Sequence, residues 1–212
     1  YGALFHTDAV QAAGHADVDV SASGVDLMTV SAHKFGGPKG AGFLYIKKGV
    51  LPDKLIEGGH QERSMRGGTT NVAAVVGMAE AFALSAAEME RNNALAAAAK
   101  DAFAGHVISN VPDVRENCAS SPRLPHIVNF TFFGVNGDAL VQSLDLAGIA
   151  CSLGSACSSG SLEPSHVLTA IGMPESEARS SVRFSFGPGV TVDDAVYAAG
   201  VLADTVRRLR GR

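Results

Sequence analysis

The sequence predicts an α/β fold in two parts: residues 1–90 belong to a large α/β domain and residues 91–212 to a small α+β domain. Three observations predict it. Up to Val30 the chain alternates strand, short helical stretch and strand, the order of an α/β layer. From Val72 to Lys100 the composition turns to Ala, Met, Leu and Glu, strong helix formers. Beyond that helix, strands with clean apolar alternation are interleaved with helices, without the apolar runs of a parallel sheet.

In order, Ala3–Phe5 reads as a short strand with Thr7-Asp8-Ala9 at its carboxyl end, and Val10–Gly14 as one or two helical turns closed by the glycine. Ser21–Gly24 reads as a loop, and Val25–Val30 and Gly42–Lys47 as strands. The polar, glycine-rich stretch Gly58–Thr70 is a loop, and Asn71 is placed to cap the helical region after it. A second region is expected to begin near Arg91, judged by a long helix that ends around Val111-Pro112. Ile127–Phe132 alternates as a strand, Gly137–Leu146 reads as a helix, and Ile149–Ser152 and Ser181–Phe186 as further strands. Thr191, followed by Asp193 and Asp194, starts a terminal amphipathic helix that runs into Arg207, Arg208 and Arg210.

Composition narrows the function classes. Across 212 residues, 46% hydrophobic and 18% charged content are those of a globular protein rather than a disordered one. A net charge of -4 without a basic run argues against nucleic acid as the main partner. No apolar stretch reads as long and uninterrupted enough to cross a bilayer. Three cysteines make no disulfide framework, which predicts a reducing cytoplasm. Tyr1 is not an initiator methionine, and the strand-like residues after it predict a chain that starts within a domain.

Two stretches carry chemistry. Ser31-Ala32-His33-Lys34-Phe35-Gly36-Gly37-Pro38-Lys39-Gly40 follows a strand, and its glycines and proline turn the chain sharply. That layout holds one amine at the rim of a sheet, where burial and neighbouring cations lower a lysine pKa. A surface lysine in a glycine-rich turn fits the same residues. Asp8 also falls at a strand's carboxyl end, where ligands of α/β folds gather. The second stretch, Leu153–Ser165, is nearly all small or polar, so its Cys157 has nothing beside it to bury the thiol. A reactive thiol is the reading preferred there, while Cys118 and Cys151 read as bystanders. The histidines show no metal-ligand spacing with the cysteines, so no zinc site is expected.

The stretches His6-Thr7-Asp8-Ala9-Val10-Gln11, Ser31-Ala32-His33-Lys34 with Gly37–Gly40, and Arg63–Thr69 together resemble the aminotransferase class V family. Gly154–Ser159 with Leu162–Leu168, and Ser180–Ser185, extend the resemblance and direct it to its cysteine desulfurases of the long-loop, iron–sulfur assembly type. It covers essentially the whole chain in the family's order and implies a partial fold type I PLP-transferase large domain followed by the small α+β domain. The family's N-terminal half, with a residue that stacks on the cofactor ring and further phosphate donors, has no counterpart here, so an unpaired sheet edge is expected.

The resemblance implies roles. Lys34 forms a Schiff base with pyridoxal 5'-phosphate and moves protons at the substrate carbon. Asp8 faces the pyridine nitrogen, Gln11 the ring oxygen, and Ser31 and His33 the phosphate. Thr69 reaches the phosphate of the other subunit's cofactor in a homodimer. Arg183 offers a planar match to the substrate carboxylate. Cys157 attacks the substrate sulfur, giving alanine and a persulfide for an acceptor or scaffold protein of iron–sulfur cluster assembly or tRNA thiolation. Arg183 paired with a surface carboxylate, and Arg63 and Arg66 as solvated loop cations, are the plain alternatives, although the resemblance places Arg66 at a subunit interface. Glu57-Gly58-Gly59-His60-Gln61 departs from the family's usual three glycines. Two other functions fit the same residues: a selenocysteine lyase-like activity, and a truncated, non-catalytic module that binds sulfur-transfer partners.

Overall fold

The computed structural model describes residues 1–154 and 163–211. The chain divides into two compact units, Tyr1–Glu90 and Arg91–Arg212.

In the first unit a sheet of order β1-β2-β3 is built from β1 (His6–Asp8), β2 (Leu27–Ser31) and β3 (Gly42–Ile46). β1 runs parallel to β2 with Asp8 opposite Thr29, and β2 runs antiparallel to β3 with Ser31 opposite Gly42. Met28 and Val30 are buried on one face of β2, while Leu27, Thr29 and Ser31 are half-buried, the alternation expected of a strand covered on one side. The first strand falls on His6–Asp8 rather than Ala3–Phe5: Leu4 and Phe5 are exposed, and only Phe5 joins the ladder, its carbonyl accepting from Asp26 N and Leu27 N. Among the described residues β1 is an outer strand, so its far edge is unpaired.

Most of the loop expected at Ser21–Gly24 belongs to one helical turn, α1 (Val20–Ser23). Asp19 Oδ1 accepts from Ser21 N and Ala22 N, and Gly24 at φ +66° closes it. The glycine-rich loop contains the short turn α2 (Gln61–Ser64), in which Glu62, Arg63 and Ser64 have φ of 49°, 58° and 65°. The helical stretches after Asn71 are one continuous helix, α3 (Val72–Asn110), capped where Asn71 Oδ1 accepts from Ala74 N at 3.2 Å. By length and composition α3 is apolar enough to cross a membrane, which corrects the expectation that no stretch is. Met78 is buried in the first unit's core, and Ala96, Ala99, Phe103 and Val107 in the second unit's.

In the second unit β4 (Val114–Glu116), β5 (Ile127–Phe132) and β6 (Ser181–Ser185) form an antiparallel sheet of that order. One face presents Val128, Phe130, Phe132, Val182 and Phe184 to the second half of α3, to α4 (Gly137–Leu146) and to α7 (Val192–Leu209). Phe103 sits at its centre, with ring centroids 4.7 Å from Phe184 and 5.3 Å from Phe186. α7 opens with a reciprocal cap: Asp194 N donates to Thr191 Oγ1 while Thr191 N donates to Asp194 Oδ2. Two short helices, α5 (His166–Ala170) and α6 (Glu175–Arg179), lead into β6. The strand expected at Ile149–Ser152 reduces to one bridge, Ser152 with Arg183, because only that pair exchanges backbone hydrogen bonds with β6.

Candidate active site

The first unit's site grows from the carboxyl ends of two neighbouring parallel strands. Asp8 ends β1, with Oδ1 accepting from Val10 N at 2.9 Å, which fixes the carboxylate at the start of the following turn. Gln11 is exposed in that turn. β2 ends at Ser31, whose hydroxyl is 2.9 Å from His33 Nδ1, and His33 is exposed. At the other end of this sheet Asp26 ties the three strands together: it accepts from Phe5 N at 3.0 Å and pairs with Lys47 at 2.9 Å. Those two donors hold its carboxyl below the usual range, the backbone amide most strongly.

Lys34 stands half-buried in a 3-10 turn, Ala32–Phe35, that leaves β2 directly. The turn is pinned from both sides. Ala32 is fully buried, and Phe35 packs edge-on against Phe82 of α3 at 5.3 Å. Gly36 at φ +84° ends the turn, and Gly37 then passes so near that a Cβ there would lie 2.9 Å from Ala32 Cβ and 3.0 Å from its carbonyl oxygen. Position 36 thus takes the left-handed conformation that favours glycine and that asparagine tolerates, while position 37 needs glycine for space. Held this way, the Lys34 amine has no hydrogen-bond or ion-pair partner among the described residues.

Thr69 occupies another wall of the first unit. With Arg66, Thr70 and Asn71 it lines a cavity of about 460 Å³ floored by Gly42, Leu44 and Ile46 of β3. No hydrogen bond joins Thr69 to Asp8 or Lys34 among the described residues. Arg63 and Arg66 are exposed.

The second unit carries Arg183, half-buried at the centre of β6. Its backbone exchanges hydrogen bonds with Ser152 in both directions, at 2.7 and 3.1 Å. Its Nε is buried with no hydrogen-bond partner among the described residues. A buried guanidinium N–H left open is costly, so an acceptor is the natural complement of this position. Cys151, beside the bridge, is half-buried, and burial pushes its thiol up to about 11 with a smaller push from Asp145, so it stays protonated and unreactive. Cys118 is exposed. Cys157 lies outside the described residues. Sequence reasoning missed Phe35 and Asp26 in the first unit and the polar residues opposite Arg183 in the second, and it read Gly37 only as part of a turn, not as the close contact with Ala32. The glycine pair is the one local signal that could have found any of them.

The aminotransferase class-V family matches residues 1–197. The chain is 47% identical over 210 residues to cysteine desulfurase IscS of Dictyoglomus turgidum, covering 99% of this chain and 53% of that protein. It is 46% identical to cysteine desulfurase IscS of Pseudomonas putida, over 99% of this chain and 52% of that one. Its fold is similar to a NifS-like protein of Rickettsia africae, with a TM-score of 0.85 at 29% identity over 99% of this chain and 54% of that structure. The chain spans about half the length of the curated relatives it matches. With a mixed α/β fold, the class-V match over nearly all of its residues and this likeness in both sequence and structure, the chain belongs to the aminotransferase class-V family.

Proposed function

We propose that the chain is part of a pyridoxal 5'-phosphate-dependent cysteine desulfurase that acts as a homodimer on L-cysteine and passes sulfur to acceptor proteins in the cytoplasm. The observation that carries this reading is the uncommitted Lys34 amine, held by a packed turn at a strand's carboxyl end, with Asp8 ending the neighbouring strand. The residues fit the cofactor by their chemistry: an open amine suits an aldehyde, an exposed carboxylate a protonated pyridine nitrogen, and the Ser31–His33 pair a phosphate. Gln11 supplies a donor for the ring oxygen, and Thr69 a hydroxyl for the second subunit's phosphate.

The cofactor, when bound, supplies an electron sink for the substrate carbon. The chain's own residues do the remainder. Lys34 holds the cofactor and moves the proton at the substrate carbon. Asp8 keeps a positive charge opposite itself by its own negative one. Arg183 orients the substrate by its carboxylate, which satisfies the open Nε. Cys157 takes the sulfur: the substrate's C–S bond breaks, an S–S bond forms on Cys157, the carbon gains the proton, and L-alanine leaves with the persulfide ready for transfer.

The test is to add pyridoxal phosphate to the purified chain, record its absorbance before and after borohydride, and map the labelled peptide. A bound-cofactor band and a reduced label on Lys34, both lost in Lys34→Ala, are expected. A colourless chain with Lys34 unmodified overturns the reading for these residues. In a chain that takes the label, Cys157→Ser is expected to abolish alanine release from cysteine, and retained turnover would remove the persulfide step.

A further inference from the structure

The face of the second unit's sheet opposite the phenylalanines is polar, and one chain of hydrogen bonds runs along it toward Arg183. It begins at Arg115, whose guanidinium pairs with Glu177 and has donors only. Arg115 Nε donates to Asn117 Oδ1 at 3.3 Å. That assigns the Asn117 amide: with its oxygen toward Arg115, its nitrogen donates to Asn129 Oδ1 at 2.6 Å, while Thr131 Oγ1 stands 2.9 Å from that nitrogen and 3.1 Å from the oxygen. Ser181 backs this arrangement, giving its proton to Glu177 O at 2.8 Å and standing 2.8 Å from Thr131 Oγ1. Asn117, Thr131 and Ser181 are all buried, so the assignment is enforced away from water.

The consequence falls on Asn129. With its oxygen committed to Asn117, its amide nitrogen is turned to the other side, where it donates to no described residue. Asn129 is the direct antiparallel partner of Arg183. Directly opposed residues share a face with Cβ atoms about 5 Å apart. The buried, unpartnered Arg183 Nε therefore has a second oriented donor as its neighbour. Two donors side by side, one charged and one neutral, call for an acceptor with two oxygens.

We propose that Asn129 is a second carboxylate-binding residue beside Arg183, and that Asn117 is the positioning residue that turns its amide outward. The proposal rests on the reading of Arg183 as the substrate-carboxylate residue. It adds a specificity element, because a primary amide in place of the carboxylate would set an NH2 against a donor.

The test uses the 15N-labelled chain, titrated with propionate and with propionamide while the Arg183 Nε–H and Asn129 Nδ2 resonances are followed. Propionate is expected to move both signals and propionamide neither. Asn129→Ala should weaken propionate about tenfold, the loss of one hydrogen bond to a charged group. Asn129→Asp keeps the acceptor that Asn117 needs but presents a carboxylate to Arg183, and should abolish propionate binding. Asn117→Ala should weaken binding only while Asn129 is present, so the double alanine variant should match Asn129→Ala. If Arg183 responds to propionate while Asn129 does not, and Asn129→Ala binds as the parent does, the role of Asn129 is refuted and that of Arg183 stands. If neither signal moves, both are refuted.

Discussion

Gly37→Ala is the substitution that most directly asks whether the packed turn positions Lys34. The added Cβ would lie 2.9 Å from Ala32 Cβ, 3.0 Å from Ala32 O and 3.3 Å from its carbonyl carbon. None of these atoms is the end of a flexible side chain, and Ala32 is fully buried, so relief requires the backbone after β2 to move. Overpacking of this kind costs about 2 kcal/mol. With a urea slope of about 2 kcal/mol per molar, the transition that reports on the first unit should fall by about 1 M. The same movement displaces the turn that carries Lys34, so borohydride labelling of Lys34 should fall in step. Gly36→Asn is the control: Gly36 has φ +84° with nothing within 4 Å of a Cβ, and asparagine tolerates that conformation, so both readouts should stay near the parent. A Gly37→Ala chain as stable and as well labelled as the parent would refute the argument that close packing on Ala32 sets the lysine.

Phe103→Ala should cost the second unit about 4 kcal/mol in urea unfolding, since the ring is only 1% exposed amid three other phenylalanines; a loss of under about 1 kcal/mol would mean that the core repacks around it. Asp194 is held below the usual carboxylate range by the Thr191 hydroxyl and backbone N–H, so its contribution is present above the unfolded pKa of about 4 and is lost as pH falls through the lower folded value. The Tm gap between the parent and Asp194→Asn should accordingly be open at neutral pH and close in acid; a gap that widens in acid would contradict the assignment. Cys151, with its thiol pushed up to about 11, should be alkylated about a hundredfold more slowly than exposed Cys118 at neutral pH, as read by peptide mapping; equal rates would show that Cys151 is not shielded.

What the sequence made legible follows the range of the interactions involved. β5 and α4 occur at the expected residues because their signals are local: apolar–polar alternation from Val128 to Phe132, and an Asn136 side chain that accepts from Ala139 N to start the helix. The terminal helix is as legible, its cap contained within Thr191–Asp194. β4, α5 and α6 were not foreseen, because elements of three to five residues carry too few positions for a period and exist through their partners, β4 through its pairing with β5. The lone bridge at Ser152 shows the converse, a strand-like pattern that finds only one partner residue.

The site divides in the same way. A lysine that follows a strand and precedes paired glycines is visible within ten residues, and the structure places it on a turn at that strand's end. Why the turn holds still is not local: Phe35 leans on Phe82 in a helix far along the chain. The orientation of Asn129 is further from any sequence pattern. It depends on an arginine that lacks acceptors, passed through Asn117 by a register that sets residue 129 against residue 183. Residue type can thus nominate a carboxylate-binding arginine, but only the fold can say which neighbouring amide has its nitrogen free to share the work.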